Sequence, residues 1–226
     1  MLRISIIIPT MNEEQSIGKV IDSIHATMIK THMEYEILVV DTNSKDRTRE
    51  IAKEKGAVII DEPRRGYGRA YKTGFEMSKG DIIVTLDADC TYPAEAIPEL
   101  VRILESTSID FLTTNRFANM EKGAMSIKHR FGNWILTNTL NILFGMKIKD
   151  SQSGMWVFRK ECLKNFVLRS DGMPFSEEIK IEAFNKVKTI EYPIHYKRRV
   201  GKVKLSSWRD GWENLLFLFK KKFSRV

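Results

Sequence analysis

Two aspartates flank one small residue at Asp87-Ala88-Asp89, directly after the apolar run at 81–86. Carboxylate oxygens at that spacing can share a hard divalent cation, and such a cation bridges the oxygens of a substrate phosphate. A solvated strand end also produces this triplet, so its weight comes from its neighbours. Two other polar segments follow apolar runs in the same way. Pro9-Thr10-Met11-Asn12-Glu13 follows residues 3–8, and Asp41-Thr42-Asn43-Ser44-Lys45-Asp46 follows residues 35–40. Each alone reads as turn chemistry feeding an acidic first helical turn. Together they put three acidic motifs at the ends of three strands.

A second set is basic. Arg116, Arg130, Arg198, Arg199, Lys202 and Lys204 lie in irregular or strand-end contexts rather than at i,i+4 spacing on a helix. Cations so placed suit a ligand that carries phosphate. The four histidines show no ligand spacing, and Cys90 and Cys162 belong to no Cys/His cluster, which argues against structural zinc. Two thiols outline no disulfide framework, so a reducing compartment is the simpler expectation. Gly66 and Gly68 in RRGYGRA leave GxGxxG incomplete. They are expected to let the backbone approach a ligand.

These residues need a frame. Strand-like runs at 3–8, 35–40, 57–60, 81–86 and 110–114 alternate with helical spacing at 13–28, 46–55, 69–78 and 95–105. That alternation predicts an α/β fold with a mostly parallel, doubly wound sheet and helices on both faces. Ligands of such sheets bind beyond the carboxyl ends of the strands, where the three acidic motifs fall. Further strands are expected at 155–159 and 189–196, and an apolar helix with a basic entrance at 128–144. Residues 208–223 place Trp208, Trp212, Leu215, Leu216, Phe219 and Phe223 on one helical face, beside Lys220, Lys221 and Lys222. Such a helix serves equally as core packing or as an interfacial element.

The 226 residues suit one α/β domain over 1–205 followed by an amphipathic, basic helix over 206–226. Hydrophobic residues make up 42%, enough for a sizeable core, and the net charge of +8 favours anionic partners. No stretch reaches the roughly 20 apolar residues of a spanning helix, so membrane contact is expected to be peripheral. The opening apolar run is too short for a signal peptide and stops at Pro9.

Four segments carry a resemblance in order and spacing: IIIPTMNEE at 6–14, VVDTNSKDRT at 39–48, RRGYGRAYKTGF at 64–75 and LDADCTYPAE at 86–95. The chain resembles the family-2 glycosyltransferases, whose GT-A fold is a Rossmann-like doubly wound mixed sheet. TTNRF at 113–117, HRFGNW at 129–134, DSQSGMWVF at 150–158 and EYPIHYKRRVGKVKL at 191–205 make it most similar to dolichyl-phosphate mannosyltransferases and related polyprenyl-phosphate sugar transferases. The resemblance implies a nucleoside-diphosphate sugar donor, GDP- or UDP-linked, bound by Pro9, Glu13, Asp41, Gly68, Asp87 and Ala88. It implies Mg²⁺ or Mn²⁺ on Asp87 and Asp89. It places an acceptor phosphate at Arg116, Arg130, Arg199 and Lys204, and a cytoplasmic enzyme peripherally associated with the inner face of the membrane; nucleic acid is not an expected partner.

Two positions depart from the family pattern: Thr42 replaces a second acidic residue, and Thr91 replaces a frequent Gln. Asp89 is expected to be catalytic through the metal, with Asp150 and Glu178 as the carboxylates that touch the sugar or assist. The expected reaction inverts the anomeric carbon, and a phosphate acceptor, already ionised, needs no strong base. Two alternatives remain: transfer to a hydroxyl, for which Asp150 or Glu178 would be the essential base, and a non-catalytic nucleotide-sugar-binding module.

Overall fold

The structure is a computed structural model that describes residues 3–201 and 207–223. Seven strands form one sheet: β1 (Ile4–Thr10), β2 (Tyr35–Asp41), β3 (Val58–Asp61), β4 (Ile82–Thr85), β5 (Phe111–Met120), β6 (Trp156–Arg159) and β7 (Thr189–Tyr196). Their order is β3-β2-β1-β4-β6-β5-β7. The first four strands run parallel, while β6 is antiparallel to both β4 and β5. β7 is parallel to β5. The sheet is thus mixed. The antiparallel β6 starts where β4 ends, so the loop before it arrives at the same edge as the parallel strand ends.

Near-continuous apolar runs are what a sheet buried on both faces requires. In β1, Ile4, Ile6 and Ile8 pack with α1 (Ile17–Met28) and α4 (Ile97–Ser106), while Ile7 faces α3 (Tyr67–Met77) and α6 (Phe175–Lys186). α2 (Thr48–Glu54) follows β2, and α5 (Ile127–Phe144) follows β5, closed by Gly145 in a left-handed conformation.

The expected elements appear with boundary shifts of a few residues. One helix was not expected. α6 has nine consecutive buried residues, Phe175 to Ala183, including Glu177, Glu178, Lys180 and Glu182. A helix buried all round while carrying charges shows no 3.6-residue apolar stripe.

The last helix, α7 (Ser207–Phe223), turns a different stripe inward than its aromatics suggested. Leu218 is buried with Leu140, Met146, Ile148 and Ile181, and Asn214 is buried too. Lys221 pairs with Glu178 and Glu182 of α6 at 3.3 and 2.8 Å. Trp212, Leu216, Phe219 and Phe223 face solvent, and α5 exposes Phe131, Trp134 and Ile142. No helix among the described residues is long and apolar enough to cross a membrane.

Candidate active site

The three strand-end motifs meet at one edge. Asp41 is buried, and its carboxylate accepts from the Thr10 hydroxyl at 3.0 Å and from the Ser44 hydroxyl and amide. Arg49 adds a contact at 3.4 Å. The loops after β1 and β2 are laced by the Asn12 amide on Ser44 and the Lys45 amide on the Asn12 side chain, at 2.8 and 2.7 Å. Asp41, expected to touch the donor, also organises the loops after β1 and β2. Pro9 and Glu13 lie partly exposed along this edge, and Ala88 is buried within the Asp87–Asp89 turn.

Among the described residues, three non-glycine positions have left-handed backbone: Asn12, Asn43 and Cys90, with φ of 58°, 56° and 66°. Each follows one of the three motif-bearing strands. Asparagine tolerates this region, whereas cysteine does so at a cost, and such costs gather where geometry serves function. Cys90→Gly is expected to gain roughly 0.5–1 kcal/mol after the chain-entropy cost of glycine, and Cys90→Val to lose at least as much. Thermal unfolding of the two variants checks this.

Asp89 is buried and engaged on both oxygens. Its Oδ1 accepts from the Thr91 amide at 3.0 Å and hydroxyl at 2.6 Å, and its Oδ2 lies 2.7 Å from Arg199 Nη2. Thr91 therefore fixes the rotamer of Asp89. Burial and the charge of Asp89 push Asp87 up to about 7, against the pull of Arg199 and Arg116. Two crowded carboxylates, with Arg199 in contact with only one of them, leave room for more positive charge. Among the described residues no third acidic, His or Cys side chain completes a cage. Two hard oxygen donors, with the other positions left to phosphate and water, fit Mg²⁺ or Mn²⁺.

Around Asp87 the floor is tight. A Cβ on Gly154 would lie 2.3 Å from the Tyr67 hydroxyl and 3.5 Å from Asp87 Oδ1. The Gly154 amide donates to the Tyr92 hydroxyl at 2.6 Å. Sequence reasoning missed Tyr67 and the role of Gly154, although both stand inside the segments that carry the resemblance.

A Cβ on Gly68 would lie 2.5 Å from the Ser170 carbonyl and 2.6 Å from Phe175, and one on Gly66 would lie 2.2 Å from the Asp171 carbonyl. The glycines let α3 close on the segment 170–175.

The two expected assisting carboxylates are also spoken for. Asp150 is fully buried and takes Arg116 Nε and Nη2 at 2.7 and 2.8 Å, plus the Arg116 amide at 3.0 Å. Burial opposes its ionisation, yet the Arg116 charge holds it below the ordinary range. Glu178, buried in α6, accepts from the amides of Arg169 and Ser170 at 2.9 and 2.8 Å and meets Lys221 of α7. It braces structure away from solvent and has no open face for a sugar.

Of the expected phosphate cations, Arg116 and Arg199 come to this edge. Arg116 sits over the Tyr196 ring at 5.4 Å, and Tyr196 packs against Tyr92. Arg130 is exposed on the first turns of α5. Lys204 and Lys202 lie outside the described residues, as does the Trp208 side chain. Lys180 was not foreseen: wholly buried, it donates to the carbonyls of Asp150, Ser151 and Ser153 at 3.2, 2.7 and 2.7 Å. It secures the loop that holds Arg116, and burial pushes its ammonium down to about 7.

Comparison with known proteins places this geometry. Over 218 residues the chain is 38% identical to the low-salt glycan biosynthesis hexosyltransferase Agl6 of Haloferax volcanii, covering 95% of this chain and 52% of that protein. The chain thus spans about half the length of Agl6. It is 31% identical to the dolichyl-phosphate hexose transferase of the same organism, covering 92% of this chain and 89% of that one. The dolichol-phosphate mannosyltransferase of Pyrococcus furiosus is 30% identical, with 90% of this chain and 59% of that protein covered. Glucosyl-3-phosphoglycerate synthase of Mycobacterium tuberculosis superposes with a TM-score of 0.80 at 21% identity, over 100% of this chain and 81% of that one. Structures of that synthase hold Mn²⁺ with UDP-glucose, or Mg²⁺ with UDP. The fold is of the GT-A type, and the model of Glycosyl transferase family 2 matches residues 5–166, so the chain belongs to that family.

Proposed function

We propose that this chain transfers a hexose from a nucleoside-diphosphate sugar to a polyprenyl phosphate, with inversion at the anomeric carbon. One observation carries the choice of acceptor. The only carboxylates that sequence reasoning could offer as a base, Asp150 and Glu178, are both buried and bound to protein partners. A hydroxyl acceptor needs a base within hydrogen-bond reach, whereas a phosphate is ionised already. The named activities of the dolichyl-phosphate relatives support the same reading.

In this mechanism Asp87 and Asp89 would hold Mg²⁺ or Mn²⁺, and the ion would supply positive charge for the leaving diphosphate. The loops after β1 and β2, set by Asp41, receive the nucleoside. Arg116, fixed by Asp150, supplies a preorganised positive charge at the edge. Arg130 and Arg199 contact the acceptor phosphate, whose oxygen attacks the face opposite the leaving group. Rate comes from positioning and electrostatics rather than proton transfer. The test is transfer from a panel of UDP- and GDP-sugars to polyprenyl phosphate and to hydroxyl acceptors, with product anomers read by NMR. A β-linked lipid phosphate from an α-linked donor is expected. Transfer to hydroxyls with none to the lipid phosphate would overturn the reading.

The lipid acceptor brings the enzyme to a cytoplasmic membrane surface, and the exposed stripes of α5 and α7 suit that contact. The lysines contribute less than their number suggests. Lys221 is tied to α6, and Lys222 lies 5.6 Å from the Phe144 ring. The aromatics therefore make the sharper test. Replacing Trp134, Trp212 and Phe219 by Ser is expected to weaken binding to anionic vesicles at least tenfold, at about 1 kcal/mol or more per side chain withdrawn. Transfer to a short soluble prenyl phosphate should persist. Sedimentation with vesicles decides, and equal binding by the triple variant would exclude this face.

A further inference from the structure

After β7 ends at Tyr196, the chain crosses the Asp87–Asp89 turn as a short strap. The Lys197 amide donates to the Thr91 carbonyl and the Val200 amide to the Asp89 carbonyl, both at 2.9 Å. Between these two anchors Arg199 reaches Asp89 Oδ2 at 2.7 Å. Its neighbour Arg198 points elsewhere: its amide donates to Glu121 and its Nε to the Lys122 carbonyl, at 3.0 and 2.7 Å. The strap therefore selects one of two adjacent arginines for the carboxylate.

Asp89 has little capacity left. Oδ1 carries both Thr91 contacts, so Oδ2, the oxygen Arg199 holds, is the one with room for a divalent cation. Two cations on one oxygen repel, and that repulsion is poorly screened where the carboxylate is buried. The Asp89 side chain is 3% exposed and that of Arg199 27%, so the arginine can swing outward while the aspartate stays.

We infer that Arg199 is an exchangeable counter-cation: it neutralises Asp89 in the resting enzyme, yields Oδ2 to the incoming metal, and is thereby released to the acceptor phosphate. The inference rests on the proposed function for the identity of the acceptor, though not for the exchange at Asp89. It sets an order. Metal and donor enter first, and only their arrival frees a cation for the second substrate. A lipid phosphate meeting the enzyme without donor finds Arg199 occupied, which limits unproductive binding. The coupling is reciprocal, so the acceptor must also tighten metal and donor binding. No bond is made or broken in this step; one ion pair is traded for two others.

The test begins with Mn²⁺ alone on the full chain, followed by the EPR signal of the free ion. Arg199→Gln is expected to bind Mn²⁺ about tenfold tighter than the parent, within the usual range of coupling between sites. Arg198→Gln makes the same charge change on the same strap and should stay within about twofold, since it does not compete for Oδ2. Equal affinity in the parent and Arg199→Gln, or equal tightening in both variants, would overturn the exchange. A second arm measures farnesyl phosphate binding by calorimetry, with and without Mn²⁺ and UDP or GDP. The parent should gain affinity when metal and nucleotide are present, and Arg199→Gln should lose that gain. A parent that binds farnesyl phosphate equally in both conditions refutes the release. Failure to bind it at all refutes the polyprenyl reading, and the Mn²⁺ arm still decides the exchange.

Discussion

Asp89→Asn should lose about 10²–10³-fold in turnover, or roughly 3–4 kcal/mol of transition-state stabilisation. The amide keeps an oxygen for the Thr91 hydrogen bonds, so the turn survives. What goes is the anionic ligand for a divalent cation on a buried carboxylate. The loss should fall on kcat, because charge on the departing diphosphate grows as the glycosidic bond breaks. Circular dichroism and the unfolding midpoint should change little, since Arg199, with its side chain 27% exposed, can turn to solvent when its partner becomes neutral. Steady-state kinetics over a Mn²⁺ titration measure the effect. Undiminished turnover of the parent in excess EDTA would remove the metal from the mechanism.

Asp150→Ala has the largest expected effect on stability. It strands the Arg116 guanidinium, 7% exposed, without the carboxylate that takes two of its nitrogens. Leaving one member of a buried pair uncompensated costs about 3–5 kcal/mol. For a domain of this size the unfolding midpoint should drop on the order of 10 °C. The Gln152 amide also loses its acceptor, which adds to the cost. A double replacement, Arg116→Met with Asp150→Leu, should recover much of the stability, because buried ion pairs contribute little net against apolar packing. It should not recover transfer. Calorimetry beside activity assays on the three proteins separates the two roles. Full transfer by the stable double variant would show that the pair serves the fold alone.

The sequence made the sheet legible because its signal is local. Ile4 to Ile8, Ile37 to Val40 and Ile82 to Val84 are apolar runs buried on both faces, and each ends in a polar motif. The strand-end rule for wound sheets then brought Thr10, Asp41 and Asp87 to one edge. What stayed illegible depends on distant partners. Nothing near Asp150 in the chain shows that Arg116 will neutralise it, or that Lys180 will hold its loop. α6 hid because its charges face protein. A glycine pair in RRGYGRA signals a close backbone approach without saying to what. The neighbour of Gly68, the carbonyl of Ser170, comes from a segment with no secondary-structure signal.

The strap over Asp89 also has a history within each molecule. The strands β1 to β4 leave the ribosome long before residues 197–201, at roughly 5–20 residues per second. For on the order of ten seconds, the nascent sheet carries Asp87 and Asp89 without the guanidinium that later balances them. Until then the edge carries two carboxylates two residues apart, and synthesis of the strap brings the guanidinium that pairs with one of them.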